Sequence, residues 1–278
     1  MLRDRDRTAP PTASADSIRR WPSCLAFLKR IASSCVQAIE SDRKSATSGN
    51  PDAVLRMRTE VTRLQAAALF FAPVNDNAEW PHIEHQLRWL NSLLGRSRNR
   101  DVVIEYANRK RYLRWSSQSR RSLLRSQDKA HRRLAQKLSS ARYRRLASEL
   151  NHWISSQNDQ PDRLDQVKAY CDERLREWKD DISRQGRHVH TLGRRPLDRL
   201  RIQSRNYRYI VESLLNLDIP VSREDFSFCE TAKRVHKTLG DLRDLRQLRK
   251  AVGRRPPHYH KRKHALIRRI EHSFQRQG

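Results

Sequence analysis

The chain has 278 residues, enough for one large domain or two small ones. Its 59 Lys and Arg, 47 of them Arg, face 31 Asp and Glu for a net charge of +28, and only 36% of the residues are hydrophobic. That charge resists compaction unless anions neutralise it, which points to a polyanionic partner: nucleic acid, polyphosphate or an anionic membrane surface. Arginine binds phosphate with a planar two-pronged donor where lysine offers a point charge, although an arginine-rich coding bias would raise Arg everywhere. The four cysteines, Cys24, Cys35, Cys171 and Cys229, are far apart with no C-x-x-C. They read as buried free thiols of a cytoplasmic protein rather than as disulfide staples. The N-terminal "MLRDRDRTAPPTASADSIRR" has no apolar stretch of the signal-peptide kind. The longest apolar run, Ala66–Val74, is too short to span a bilayer.

Residues 1–20 are polar and carry Pro10 and Pro11, so a disordered tail is expected there. From Trp21 to Glu40, Leu25, Leu28, Ala32, Val36 and Ile39 repeat at helical spacing. "SDRKSATSGNP" then reads as a loop, and a helix follows from Asp52, its N-cap, to Phe71. "APVNDN" breaks the pattern. Glu79–Leu94 is the next helix, with Gly95 placed as a C-terminal glycine, and helical spacing resumes from Arg98 to about Arg125. Two more helices flank a break at "SSAR" (139–142), and Asn158–Arg163 is the most linker-like interior segment. Beyond it come helices over Leu164–Ile182 and Leu197–Leu215, then Phe226–Leu239 ending at Gly240, another from near Arg243, and a basic helix in the tail. No strand alternation competes, so the fold class is all-α.

The segments "RMRTEVTRLQAAALFF" (56–71) and "RLRIQSRNYRYIVESL" (199–214) share an R-[ML]-R start. Each is followed by L-G-x-x-R, at Leu94–Arg98 and Leu239–Arg243. The arginine offset is 201 − 58 = 143 and the glycine offset 240 − 95 = 145. Two motifs in one order at nearly one offset describe two related halves, about 21–157 and 163–252, each a four-helix-bundle-like unit, with 253–278 as a basic C-terminal segment. A pseudo-twofold arrangement would turn the two arginine-bearing helices toward a shared surface.

Arg201, Arg205 and Arg208 fall within an arc of about 60° on a helix. Like charges on one stripe repel, and a bound polyanion relieves that repulsion. The alternative is a solvated face paired internally, since Asp198 and Glu212 lie within i+3 and i+4 reach of Arg201 and Arg208. The run 109–125, with Tyr112 and Trp115 among arginines, suits base stacking or, alternatively, a core-facing aromatic stripe. "RRPPHYHKRKH" (254–264) is a basic cluster able to touch a phosphate backbone. Its histidines, His258, His260 and His264, lack the neighbours of a closed metal site, so no metal is expected. No phosphate loop, nucleophile elbow or H-E-x-x-H occurs, and no cofactor or enzymatic activity is expected.

Four segments together resemble the CHAD domain family from about Trp21 to Val252: "GNPDAVLRMRTEVTRLQAAALFF", "SARYRRLASELNHWI", "PLDRLRIQSRNYRYIVESLL" and "LGDLRDLRQL". The resemblance implies two helical bundles with internal symmetry, a basic cleft between them, binding of inorganic polyphosphate, and in some members an association with polyphosphate or storage granules. It selects Arg58, Arg63, Arg98, Arg201, Arg205, Arg208, Arg243 and Arg246 as anion-binding candidates. The chain departs from the family at both signature histidines, where Leu55 and Asp198 stand, and at Asn99, where an Asp is expected. Thr62 and Gln65 also replace the basic character expected in the first half. The expected function is non-catalytic binding of polyphosphate or a similar polyanion. The alternatives are a nucleic-acid-associated basic protein and a helical scaffold that has lost anion binding.

Overall fold

The computed structural model describes residues 20–21, 23–75, 77–108, 117–156, 162–252 and 258–275. Nine α-helices occupy the described residues: α1 (Cys24–Thr47), α2 (Pro51–Phe70), α3 (Trp80–Asn108), α4 (Ser117–Leu138), α5 (Ala141–Ser156), α6 (Leu164–Arg187), α7 (Arg194–Asn216), α8 (Arg223–Val252) and α9 (Tyr259–Gln275). The strand pairing among them is a two-residue antiparallel bridge, Arg20–Trp21 against Asp162–Arg163. The chain is therefore all-α. The tail expected to be disordered before residue 20, and Tyr112 and Trp115, lie outside the described residues.

Several boundaries differ from the sequence reading: α4 runs unbroken through Arg125, α6 continues to Arg187, α7 and α8 begin one turn earlier, at Arg194 and Arg223, and four further differences have a local reason. The segment 41–47 is helix, not loop. Asp42 holds Arg56 of α2 at 2.6 Å, Ala46 is fully buried, and α1 ends only where Gly49 turns left-handed at φ 88°. The N-cap of α2 is Asn50, whose side-chain oxygen accepts from the backbone N–H of Asp52 and Ala53 at 2.9 and 3.2 Å; Pro51 opens the helix. Gly95 and Gly240 do not end helices: α3 and α8 run through both without a break. A mid-helix glycine costs about 1 kcal/mol against alanine, so tertiary packing overrides the local signal. The break at Ser139–Ser140 falls where the sequence put it.

One hydrophobic cluster runs through all nine helices, with Trp153, Tyr207, Phe27, Phe70 and Phe71 its largest fully buried side chains. Phe70 meets Phe71, Tyr170 and Trp178 edge-on, and the Tyr170 hydroxyl donates to the Phe70 carbonyl at 2.7 Å, tying the end of α2 to α6. Tyr207 donates to Asp225 at 2.8 Å, tying α7 to the first turn of α8. All four cysteines are buried, and none forms a disulfide. Burial pushes Cys171 up to about 12 and Cys229 up to about 11. No helix among the described residues is long and apolar enough to cross a membrane.

For the candidate site the decisive contacts are between α2 and α7, which carry the two R-[ML]-R segments and pack directly on each other. Alongside them α3 packs on α2, α8 on α7, and α3 on α8.

Candidate functional site: an arginine cluster on four helices

All eight candidate arginines are half-buried. Six of them act on one another electrostatically: Arg58 from α2, Arg98 from α3, Arg201, Arg205 and Arg208 from α7, and Arg243 from α8. Burial, then repulsion from Arg243, Arg201 and Arg98, pushes Arg58 down from 12.5 to about 10, with Tyr209 pulling the other way. Burial also pushes Arg205 down to about 10; Tyr209 opposes this, and Arg201, Arg58 and Arg208 add to it. Arg201 is lowered by burial and Arg243, against the pull of Asp198, Asp244 and Tyr209. Removing water and crowding like charges both disfavour a guanidinium, so the empty cluster stores electrostatic repulsion.

The hydrogen bonds divide the cluster into an inner and an outer set. Arg58 reaches across α3 at Gly95, where an added Cβ would sit 3.7 Å from its guanidinium carbon. Its Nε donates to Asn91 Oδ1 at 3.5 Å, and Asn91 in turn donates to Gln65 Oε1 at 2.8 Å. Arg243 donates to Asn99 Oδ1 at 3.1 Å, an acceptor shared with Gln247 at 3.4 Å. Arg205 donates to Asn206 Oδ1 at 3.0 Å. Among the described residues Arg201 makes no hydrogen bond, and its Nε is buried without a partner. Among the described residues none of these four inner guanidiniums forms an ion pair. The outer three are paired: Arg98 with Glu105 at 2.5 Å, Arg208 with Glu212 at 3.3 Å, and Arg63 with Glu60 at 3.5 Å and Glu212 at 3.7 Å. Arg63 and Arg208 both lie over the ring of Tyr209, at 5.4 and 4.7 Å. Their Nε atoms are buried with no hydrogen bond in line.

Several readings of the sequence change here. Asp198 does not pair with Arg201; its carboxylate lies 4.0 Å from Arg194, and it acts on Arg201 only through space. Leu55 is 40% exposed. Gln65, in sequence a lost cation, anchors the Asn91 amide that holds Arg58. Thr62 is buried and donates to the Arg58 carbonyl at 2.7 Å. Asn99 supplies a neutral acceptor where a carboxylate would have cancelled Arg243. Arg246 is half-buried one turn beyond Arg243, and no hydrogen bond or ion pair among the described residues joins it to the other seven. His258, His260 and His264 are exposed, and no metal-ligating cluster exists among the described residues.

The sequence reading missed His236, Asn91 and Asp244. His236 is half-buried on α8, and burial with Arg201, Arg208 and Arg205 pushes it down from 6.5 to about 3. Asp244 is raised, first by burial and further by Asp241, although Arg243, Arg98 and Arg201 pull it back. The signal for both was spacing: His236, Gly240, Arg243 and Gln247 share one stripe of α8, and Asp244 sits beside Arg243. A groove of about 600 Å³ between α6 and α9, lined by Gly186, Arg187, His190, Glu271 and Phe274 among others, gathers no such set of arginines.

An all-α chain that collects like charges in a half-buried cluster, and gives the inner ones only neutral partners or none, defines a helical protein with a cationic cluster shared by four helices. The sequence matches the CHAD domain family over residues 30–253, and the chain belongs to that family. This is a family associated with polyphosphate binding. Among solved structures, the fold is similar to the CHAD domain from the plant Ricinus communis, at 16% identity, TM-score 0.69 and coverage of 96% of both chains. It is also similar to PptA from Streptomyces chartreusis, at 15% identity and TM-score 0.55, covering 91% of this chain and 97% of that one. Comparison with curated proteins finds no match.

Proposed function

We propose that this protein binds inorganic polyphosphate, or a chemically similar polyanion, in the cleft formed by α2, α3, α7 and α8, by charge-assisted hydrogen bonds and without making or breaking bonds. The observation that carries the reading is the inner set Arg58, Arg201, Arg205 and Arg243, four guanidiniums with neutral partners or none. An anion entering there meets N–H donors already stripped of much of their water and relieves repulsion among them. Arg63, Arg98 and Arg208 form the rim, where their carboxylate partners compete with the ligand. Arg246 extends the same face along α8. The same reading puts the protein in the cytoplasm, with polyphosphate or storage granules.

The test is titration of the full chain with long-chain polyphosphate at two salt concentrations. Wild type should bind, with affinity falling steeply as salt rises, and Arg201→Ala/Arg205→Ala/Arg208→Ala should bind more weakly with a shallower salt slope, by about 2 for three charges at about 0.7 each. Equal affinity and slope for the two proteins would remove the α7 stripe from the site. Absence of polyanion binding by wild type would select the scaffold reading.

A second reading has its own observation. The outer face of α4 exposes Arg125, Lys129, Arg132 and Arg133 on the side opposite buried Leu134 and Leu138, and none of the four forms an ion pair among the described residues. Such a face suits contact with a nucleic-acid backbone. Competition between polyphosphate and duplex DNA or RNA for the wild-type protein, repeated with α4 charge variants, separates the two sites.

A further inference from the structure

His236 lies among the cations of the cleft and is bonded to none of them. On α8 it shares an arc of about 60° with Gly240, Arg243 and Gln247. That face is fixed by contacts further along, since Arg243 and Gln247 both donate to Asn99 of α3. One turn from His236, the space in front of Gly240 is open: an added Cβ there would meet nothing within 4 Å. The ring is half-buried, and neither of its nitrogens has a hydrogen-bond partner among the described residues. The charged groups that act on it come from α7: Arg201, Arg205 and Arg208. From the other helices packed on α8, Arg98 of α3 pairs with Glu105 and acts on Asp244, Lys179 of α6 pairs with Glu224 and Asp225, and Glu271 of α9 pairs with His190; none of the three is among the groups that act on His236.

Resting on the polyphosphate reading above, we propose that His236 is a proton-accepting ligand of the cleft, neutral when the cleft is empty and protonated when a polyanion fills it. The step moves one proton and no other atom. A bare ring nitrogen takes a proton from solvent, and the imidazolium then donates N–H to a phosphate oxygen. In the empty cleft, burial and the three arginines hold the imidazole neutral throughout the physiological range. A phosphate chain laid over the same arginines reverses the local field. Linkage makes the coupling reciprocal: if the anion strengthens proton binding by some factor, the proton strengthens anion binding by the same factor. Affinity should therefore rise as pH falls, by at most tenfold per pH unit from this one group.

The experiment is calorimetric titration of long-chain polyphosphate into wild type and His236→Gln at about pH 6, 7 and 8 and fixed salt, in two buffers of different ionisation enthalpy. Long chains keep the titrating end groups few. Wild type should take up close to one proton more per site than His236→Gln, and should lose severalfold more affinity between about pH 6 and 8. Equal proton uptake and equal pH slopes in two proteins that both bind would overturn the proposal and leave the polyphosphate reading standing. Failure of wild type to bind at any pH would overturn both. A measurement on wild type alone guards against a variant that folds poorly: the His236 ring, followed by NMR at about pH 6, should be neutral without polyphosphate and charged with it. A ring that stays neutral at saturation overturns the proposal.

Discussion

Asn99→Asp places a carboxylate where a neutral amide oxygen now accepts from Arg243 at 3.1 Å. The two consequences have opposite signs. A charge-assisted bond is about twice as strong as a neutral one, and hydrogen bonds to charged groups contribute about 1.5–3 kcal/mol against about 1 for neutral ones, so the exchange should add about 1 kcal/mol to stability. The new charge also eases the cluster around Arg243. Arg58, held near 10 rather than 12.5 by burial first and by Arg243 and Arg201 next, carries a penalty on its charged form of about 3 kcal/mol. That penalty is fully present at neutral pH, well below the folded value, and part of it is repulsion that the introduced carboxylate would offset. In thermal denaturation without polyanion, Asn99→Asp should melt about 2–4 °C above wild type. In polyphosphate titration it should bind more weakly, with the log–log salt slope reduced by about 0.7, the share of one phosphate contact. Asn99→Ala is the control, losing the acceptor without adding charge; it should be less stable than wild type and keep the wild-type slope. Tighter or unchanged polyphosphate binding by Asn99→Asp would refute the reasoning, because Arg243 would then be no part of the anion site.

Three further outcomes are expected. Between its folded value of about 3 and its unfolded value near 6.5, His236 binds a proton in the unfolded chain and not in the empty folded one, so stability should fall as pH drops through that window. At about pH 5.5 the loss should be about 1.2 kcal/mol relative to neutral pH, and denaturant melts of His236→Gln should lack it. An alanine Cβ at Gly186 would sit 2.2 Å from the ring of Phe274, so Gly186→Ala should lose about 1–2 kcal/mol as α9 is forced off α6. The double variant with Phe274→Leu should recover most of that loss, and simple additivity in the cycle would count against the contact. All four thiols are buried, and the raised values at Cys35, Cys171 and Cys229 keep those thiolates scarce at pH 8. A thiol reagent should therefore label the native protein slowly and the denatured protein at four sites.

The helices were legible because each buries one face. Val36 and Ile39, or Leu197 and Leu200, repeat at three or four residues whatever they pack against. The break at Ser139–Ser140 was legible for the same reason, as two polar residues with no apolar partner at helical spacing. Gly95 and Gly240 mislead because a glycine at a helix end and a glycine inside a helix look alike in sequence. Gly95 is interior because Arg58 crosses α3 there, and only a contact with another helix could reveal that.

The site was legible as a set of arginines and not as an arrangement. Spacing alone put Arg201, Arg205 and Arg208 on one stripe, and the repeated L-G-x-x-R segments singled out Arg98 and Arg243. The role of Gln65 has the opposite sign in the two views. As a residue it is a missing charge; in the structure it fixes the amide that holds Arg58. Asn99 is legible as a departure from the family, but its consequence depends on Arg243, 144 residues away in sequence.

The sequence by itself determined an all-α chain, its surplus of arginine, and its family, because helical periodicity, net charge and local motifs are properties of neighbouring residues. Only the tertiary structure decided that α2 lies on α7 and α3 on α8, which arginines keep a carboxylate partner, and that His236 stands among the rest. The physical reason is that pairing, burial and repulsion depend on distances between helices. The same side chain is a charge already paired when Glu105 is beside it and a cation with no carboxylate partner when its neighbours are Asn99 and Arg58.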